Sequence, residues 1–388
     1  MPDSFSEVAE WRRHIHARPE LGYEEVKTSA FVADKLRSFG IETHTGFATT
    51  GVIGVIPGGR GPGRTIALRA DMDALPMTEM NRFGHASTHA GRMHACGHDG
   101  HTAMLLGAAR ELAAGPDFAG TVVLIFQPAE EALGGARVMI EEGVLTRFGI
   151  EEVYGLHNWP QMPAGTIGVR TGPMMASCDF FSLTVTGKGG HAAMPQLVID
   201  PIVAASQIVT AFQTIASRNA PPHEAVVVSV TQFHAGSADN VIAETAELRG
   251  TARAFTPQMR DLVQRRMSEI ADGVAAAMGV GVAFDYRRCF PATINSPAES
   301  DAAARAAARV VGAENVRRDE PPSMTAEDFA FMLEARPGCY IWLGQGIGAD
   351  TRMLHSPTYD FNDTVIPKGI AWWLEIVKER LSTPSVLE

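Results

Sequence analysis

Cysteine is scarce: Cys96, Cys178, Cys289 and Cys339 are the four in 388 residues, and they lie far apart. That spacing excludes a disulfide framework and leaves each to be read as a reduced thiol. Long apolar runs are missing too. The strongest, Thr121-Val-Val-Leu-Ile-Phe126, falls far short of the roughly 20 residues that span a bilayer, and the opening residues have no secretory apolar stretch. The expectation is a cytoplasmic protein with no membrane partner. Positive charge is in deficit, 33 Lys plus Arg against 44 Asp plus Glu, a net charge of −11 that argues against a nucleic-acid partner. Also absent are a GxSxG elbow, an HExxH helix, a Walker loop and a GxGxxG turn between strand and helix.

What remains is ordinary globular composition, 45% hydrophobic and 20% charged, in a chain long enough for about two domains at roughly 150 residues each. Short apolar runs at 51–56, 65–70, 121–126 and 153–156 read as buried strands, and helical patterns such as 102–114 separate some of them. This alternation predicts an α/β domain with a largely parallel sheet. The pattern changes at Phe181, where a half-buried strand of period two begins. A helix opened by Asp200-Pro201 follows, then strands at 225–233 and 244–255, a helix opened by Thr256-Pro257, and a strand at 280–287. The order β-α-β-β-α-β is ferredoxin-like. It predicts an inserted α+β domain at 179–293, with 1–178 and 294–388 forming the discontinuous first domain.

Polar clusters stand just beyond the apolar strands: Asp71-Met-Asp73, Gln127-Pro-Ala-Glu130-Glu131 and His157. Ligands of open α/β sheets bind at the carboxyl ends of strands, so these positions should share a crevice. His94-Ala-Cys96-Gly-His98-Asp99 joins them, with small residues that let a thiolate and an imidazole face one ion. Thiolate, imidazole and carboxylate suit zinc or cobalt, with manganese or nickel as alternatives. One of the two adjacent glutamates could hold metal while the other takes the proton of a water, which points to hydrolysis. Taken singly, an acidic pair is usually solvated, Asp71 and Asp73 could cap turns, and Cys96 could be a small core residue. Their joint position reverses that reading. His14 and His16 are two apart on a predicted helix and point in different directions, His44, His223 and His234 have no clustered partners, and all five read as structural or surface groups. His85, His89 and His94 read as structural or substrate-loop residues, and the other three cysteines as structural. Two readings of another class stay open: a zinc oxidoreductase using Cys96 and His98, and a noncatalytic metal-binding protein.

RADMDALP at 69–76, MHACGHDGH at 93–101, QPAEE at 127–131, GLH at 155–157, GKGGHAAMP at 187–195 and LHSP at 354–357 occur in that order. The set resembles the dinuclear-metal aminoacylase and carboxypeptidase type metallopeptidases, within them the amidohydrolase subgroup of hippurate and indoleacetyl-amino-acid hydrolases. The resemblance implies two divalent ions per subunit (manganese, zinc, cobalt or nickel). Cys96 would bridge them, His98 and His157 would complete one site, and Glu131 and His355 the other. It implies Glu130 as general base and a supporting role for Asp73, which orients a ligand. It implies that the inserted domain dimerises the protein and acts as a lid, giving a homodimer or a higher oligomer built from dimers. His191 would then reach the partner subunit's site to hold the oxyanion, and Asn240 and Arg253 would clamp the substrate carboxylate. Ala243 departs from the family's pattern, which carries proline there. The implied substrate is a small N-acyl amino acid, with dipeptidase or carboxypeptidase action as the alternative.

Overall fold

The computed structural model describes residues 4–131 and 133–382. The chain divides into two units, one comprising Met1–Met174, Ile294–Pro321 and Asp328–Glu388, the other Met175–Thr293 with Pro322–Glu327.

Among the described residues, the first unit carries an eight-stranded mixed sheet. At its centre the strand Thr65–Asp71 runs parallel to Thr121–Gln127 on one side and to Glu152–Pro163 on the other. Gly338–Gly346 extends the sheet, parallel to Glu152–Pro163. Val122 through Phe126 have no exposed surface, as a continuous apolar run requires when both faces of a strand are covered. The helix His98–Ala114 is buried along most of its length, and Ile366–Leu381 adds the fully buried Trp372 and Trp373 to the same core.

Two differences from the sequence-based expectation concern the long strands of this sheet. Glu42–Phe47 is an additional edge strand, antiparallel to Gly51–Pro57, which is itself antiparallel to Thr121–Gln127. The strand expected to end at Leu156 continues to Pro163, so His157 lies within it, opposite Trp342, and does not follow its end.

In the second unit, Val226–Ala235, Thr245–Ala254, Cys178–Thr186 and Gly281–Phe290 form, in that spatial order, an antiparallel sheet. Helices Pro201–Thr214 and Pro257–Met278 pack on it through Ile208, Phe212, Val263 and Met267, against Phe181, Leu183 and Val185. The Asp200 carboxylate accepts from the Ile202 N–H at 2.8 Å, and the Thr256 hydroxyl accepts from the Met259 N–H at 3.3 Å, so both helices start at side-chain caps. This connectivity and strand order are those of a ferredoxin-like unit. The segment 322–327 belongs to it because the carbonyls of Ser323 and Thr325 accept the Ala176 N–H at 3.0 and 2.9 Å.

His16, read from sequence as structural or superficial, is fully buried. Its Nδ1 lies 2.8 Å from Asp99 Oδ2 and its Nε2 3.3 Å from Glu79 Oε1. Burial opposes the imidazolium, but the two carboxylates outweigh it and push the pKa up to about 9. A raised histidine pKa gives stability that is complete below the unfolded value of 6.5 and is lost as pH rises through about 9. A shift of this size corresponds to about 3 kcal/mol. Unfolding measured from pH 6 to 9.5 should show the wild type losing its advantage over a His16→Gln variant across that window. A pH-independent difference would contradict the assignment.

Candidate metal centre

The loop before helix His98–Ala114 and the strand ends gather the polar residues of the first unit. Gly97 makes the first turn feasible. Its φ is +93°, and an added Cβ would sit 2.4 Å from Asn158 Oδ1, so only glycine lets Cys96 and His98 flank this point.

Cys96, His98 and His157 each place one donor atom within 4.8 Å of the others, and Cys96, Glu131 and His355 do the same. Cys96 is common to both sets. His157 Nδ1 lies 2.7 Å from the Asn158 carbonyl, which can only accept, so Nδ1 carries the proton and the Nε2 lone pair faces Cys96 Sγ at 3.5 Å. Burial, then the charges of His101 and His98, hold this imidazole neutral. His98 is ordered from the other side, its Nδ1 3.2 Å from Asp73 Oδ1, while its Nε2 is buried with no hydrogen-bond partner. Glu131 Oε1 is likewise a buried acceptor without a hydrogen bond, 3.4 Å from His355 Nε2. The remaining Asp73 oxygen accepts the Glu131 N–H at 2.9 Å, so one carboxylate orients a residue of each donor set. His355 sits at φ +60° in a loop fastened by its own N–H to the Ala95 carbonyl at 2.8 Å. Unpartnered imidazole and carboxylate atoms around a shared sulfur fit two divalent cations.

Burial, followed by the charge of Glu131, pushes the Cys96 thiol up. His98 is raised against its burial by Asp71 and Cys96, and His355 reaches about 10 beside Cys96 and Glu131. Groups that cling to protons in this way would release them to bound cations, so metal uptake is coupled to pH.

Glu130 is buried beside this cluster, grouped with His98 and Glu131, and its Oε1 accepts the Asp328 N–H at 3.3 Å. Asp328 is held in turn by Arg69 and Gln127. In the second unit, His191 is exposed on a two-residue strand opposite Val241, and the neighbouring Ala192 N–H donates to the Asn240 carbonyl at 3.0 Å. Arg253, partly exposed, lies across from Val227.

Several supporting residues had no role assigned from sequence. His101 Nδ1 lies 2.6 Å from Asp71 Oδ1, its Nε2 contacts Asn158 Oδ1 at 2.5 Å, and Asn158 donates to the Tyr359 hydroxyl at 2.8 Å. Asp71 also pairs with Arg69 at 2.6 Å and is therefore a strut inside the unit, not a turn cap. One signal was available for His101, which follows His98 by three positions on one helix face. Of His85, His89 and His94, none joins a candidate metal group among the described residues. His94 is fully buried and held neutral, its pKa pushed down to about 4 by burial.

Residues 67–379 match the model of Peptidase family M20/M25/M40. The chain is 38% identical to a hippurate hydrolase of Campylobacter jejuni over 98% of both chains. It is 40% identical to an IAA-amino acid hydrolase of Arabidopsis thaliana over 95% of this chain and 84% of that one. A crystal structure of a Bacillus subtilis dinuclear metal binding peptidase from the M20 family superposes with a TM-score of 0.85 at 37% identity, covering 96% of this chain and 97% of that one.

Replacing Gly97 by alanine imposes both a left-handed alanine and a clash with Asn158. Chemical denaturation should show a loss of at least about 1–3 kcal/mol, together with reduced metal content. Wild-type stability in Gly97→Ala would mean the turn relaxes freely.

Proposed function

The chain belongs to peptidase family M20/M25/M40, and on that premise we propose that it hydrolyses the amide bond of N-acyl amino acids, with Glu130 as general base. The observation that carries this reading is the pair of donor sets sharing Cys96 Sγ, with a buried second glutamate beside them that a backbone N–H holds in place. Cys96, His98 and His157 would hold one divalent ion, and Cys96, Glu131 and His355 the other. The thiolate favours zinc, cobalt or nickel, and the carboxylate and imidazole ligands also suit manganese. When bound, the ions supply Lewis acidity that polarises the scissile carbonyl and makes water nucleophilic at neutral pH.

The chain's own residues would do the rest. Glu130 accepts the proton of the attacking water and returns it to the departing amine nitrogen. Asp328, anchored by Arg69 and Gln127, keeps that carboxylate at its post. Asp73 fixes the His98 ring and the Glu131 backbone together. His191 donates a hydrogen bond to the developing oxyanion, and Asn240 and Arg253 receive the free carboxylate of the amino-acid half. That His191 and Asn240 are neighbours on exposed backbone of the second unit supports their joint use.

In this reading the enzyme is a homodimer formed through the second unit, each His191 serving its partner's site. Exposed Ile202 and Val203 on the outer face of helix Pro201–Thr214 supply apolar surface for such an interface. A thiol ligand is best kept in a reducing compartment, which supports a cytoplasmic enzyme. Among the described residues no helix is long and apolar enough to cross a membrane.

With each metal restored in turn, the protein should release free amino acid from benzoyl-, acetyl- or arylacetyl-amino acids, and dipeptides should serve as comparison substrates. Glu130→Gln should lose about 100- to 10,000-fold in kcat with metal content intact, whereas Glu131→Gln should also lose metal. Equal metal loss in the two variants would overturn the division of roles.

Mixing inactive Glu130→Gln with inactive His191→Ala subunits should restore activity, because a hybrid dimer contains one site with both residues intact. No recovery after verified subunit exchange would confine His191 to its own chain.

A further inference from the structure

Among the described buried titratable groups that the proposed chemistry leaves unused, Glu25 is tied directly to the segment that carries Glu130. It has no exposed surface and immediately precedes helix Val26–Ser38. At such a position a carboxylate would ordinarily accept the helix's free N–H groups. The Glu25 side chain does not. Glu20 takes that duty, accepting from the N–H groups of Lys27 at 3.1 Å and Thr28 at 2.8 Å.

Glu25 is thereby released to reach across the unit. Its Oε1 accepts the Ala129 N–H at 2.8 Å and its Oε2 the Thr50 hydroxyl at 2.6 Å. Ala129 immediately precedes Glu130 and adopts φ +58°, a left-handed conformation that alanine seldom takes. It is braced elsewhere as well. Its carbonyl accepts the Gly135 N–H at 3.0 Å, and Gly22 comes so near that a Cβ there would lie 3.0 Å from the Ala129 Cα. The Thr50 end is equally fixed, since Ala48 and Thr49 are both left-handed and the Ala48 N–H donates to Glu142 at 2.7 Å.

We propose that Glu25 is a positioning residue for Glu130: its carboxylate holds Ala129 in the left-handed conformation that sets where the base's backbone, and so its side chain, stands. Rotating Ala129 to the ordinary helical or extended region would swing the following peptide and carry Glu130 away from Asp328 and the metal ligands. Burial pushes the Glu25 carboxyl up to about 7, with Thr50 opposing. Either protonation state leaves Oε1 able to accept from Ala129, since a protonated Oε2 can donate to the threonine oxygen. The inference rests on Glu130 being the base.

Its test uses the metal-loaded enzyme and the best substrate from the panel above, with kcat, KM and metal content measured for Glu25→Ala, Glu25→Gln, Ala129→Gly and the double variant Glu25→Ala/Ala129→Gly. Glu25→Ala should lower kcat by about 10- to 100-fold, the scale of an ångström-sized misplacement, with KM and metal content nearly unchanged. Glu25→Gln should keep most of the activity, because an amide oxygen still accepts from Ala129. Glycine takes positive φ freely, so in the Ala129→Gly background the same Glu25→Ala change should cost less than about threefold. Thr50→Val, which leaves Glu25 in place but loosens it, should fall between wild type and Glu25→Ala and serves if Glu25→Ala does not fold. Unchanged kcat in Glu25→Ala and Thr50→Val, an equal loss in both Ala129 backgrounds, or loss of metal in step with activity would each overturn the proposal. An active Glu130→Gln would instead overturn the assignment of the base itself, whatever Glu25 does.

Discussion

The first unit is organised around the expense of bringing Cys96, His98, His157, Asp71, Asp73 and Glu130 into one largely water-free place. Isolated buried charges cost several kcal/mol each, so such a cluster persists only when each group is answered by another. Asp71 is answered by Arg69 and His101, Asp73 by the His98 ring and the Glu131 N–H, and His157 by a carbonyl. His98 Nε2 and Glu131 Oε1 are left without a hydrogen bond, and both belong to the donor sets. The support network satisfies its own members and leaves these two atoms to a cation.

The same logic explains why the backbone is unusual at two points of the site. Ala129 and His355 are both left-handed non-glycine residues, and both are pinned by hydrogen bonds from segments distant in sequence. Strain of this kind is tolerable where surrounding structure over-determines it, and here it lies beside Glu130 and at a proposed ligand. Gly97, by contrast, meets its positive φ through residue choice and needs no brace of that sort.

Much of this was legible in the sequence. Alternating apolar runs and helical stretches located the central strands, and period-two alternation followed by Asp-Pro and Thr-Pro starts located the second unit's elements. What escaped was nonlocal. The strand Glu42–Phe47 carries too few apolar residues to announce itself and exists by pairing with Gly51–Pro57. Pro160 and Pro163 masked the continuation of the strand through His157, which is held by register with Gly338–Gly346. Motif spacing brought out Cys96, His98, Glu130, Glu131 and His157, because their residue types are chemically conspicuous together, whereas His355 came only with the family resemblance. Glu25, Asn158 and Asp328 are unremarkable alone, and their roles depend on partners that only the folded chain supplies.

The pairing of Glu152–Pro163 with Gly338–Gly346 bears on how the chain folds. These neighbouring strands are separated by the whole of the second unit, and closing so long a loop from an unstructured chain is slow. The second unit relieves this. Its first and last strands are antiparallel partners, with Cys178 opposite Phe290, so once folded its two ends lie side by side. The long loop then behaves as a short one. A second unit that folds first would therefore act as a clasp, shortening the loop that the two halves of the first unit must close.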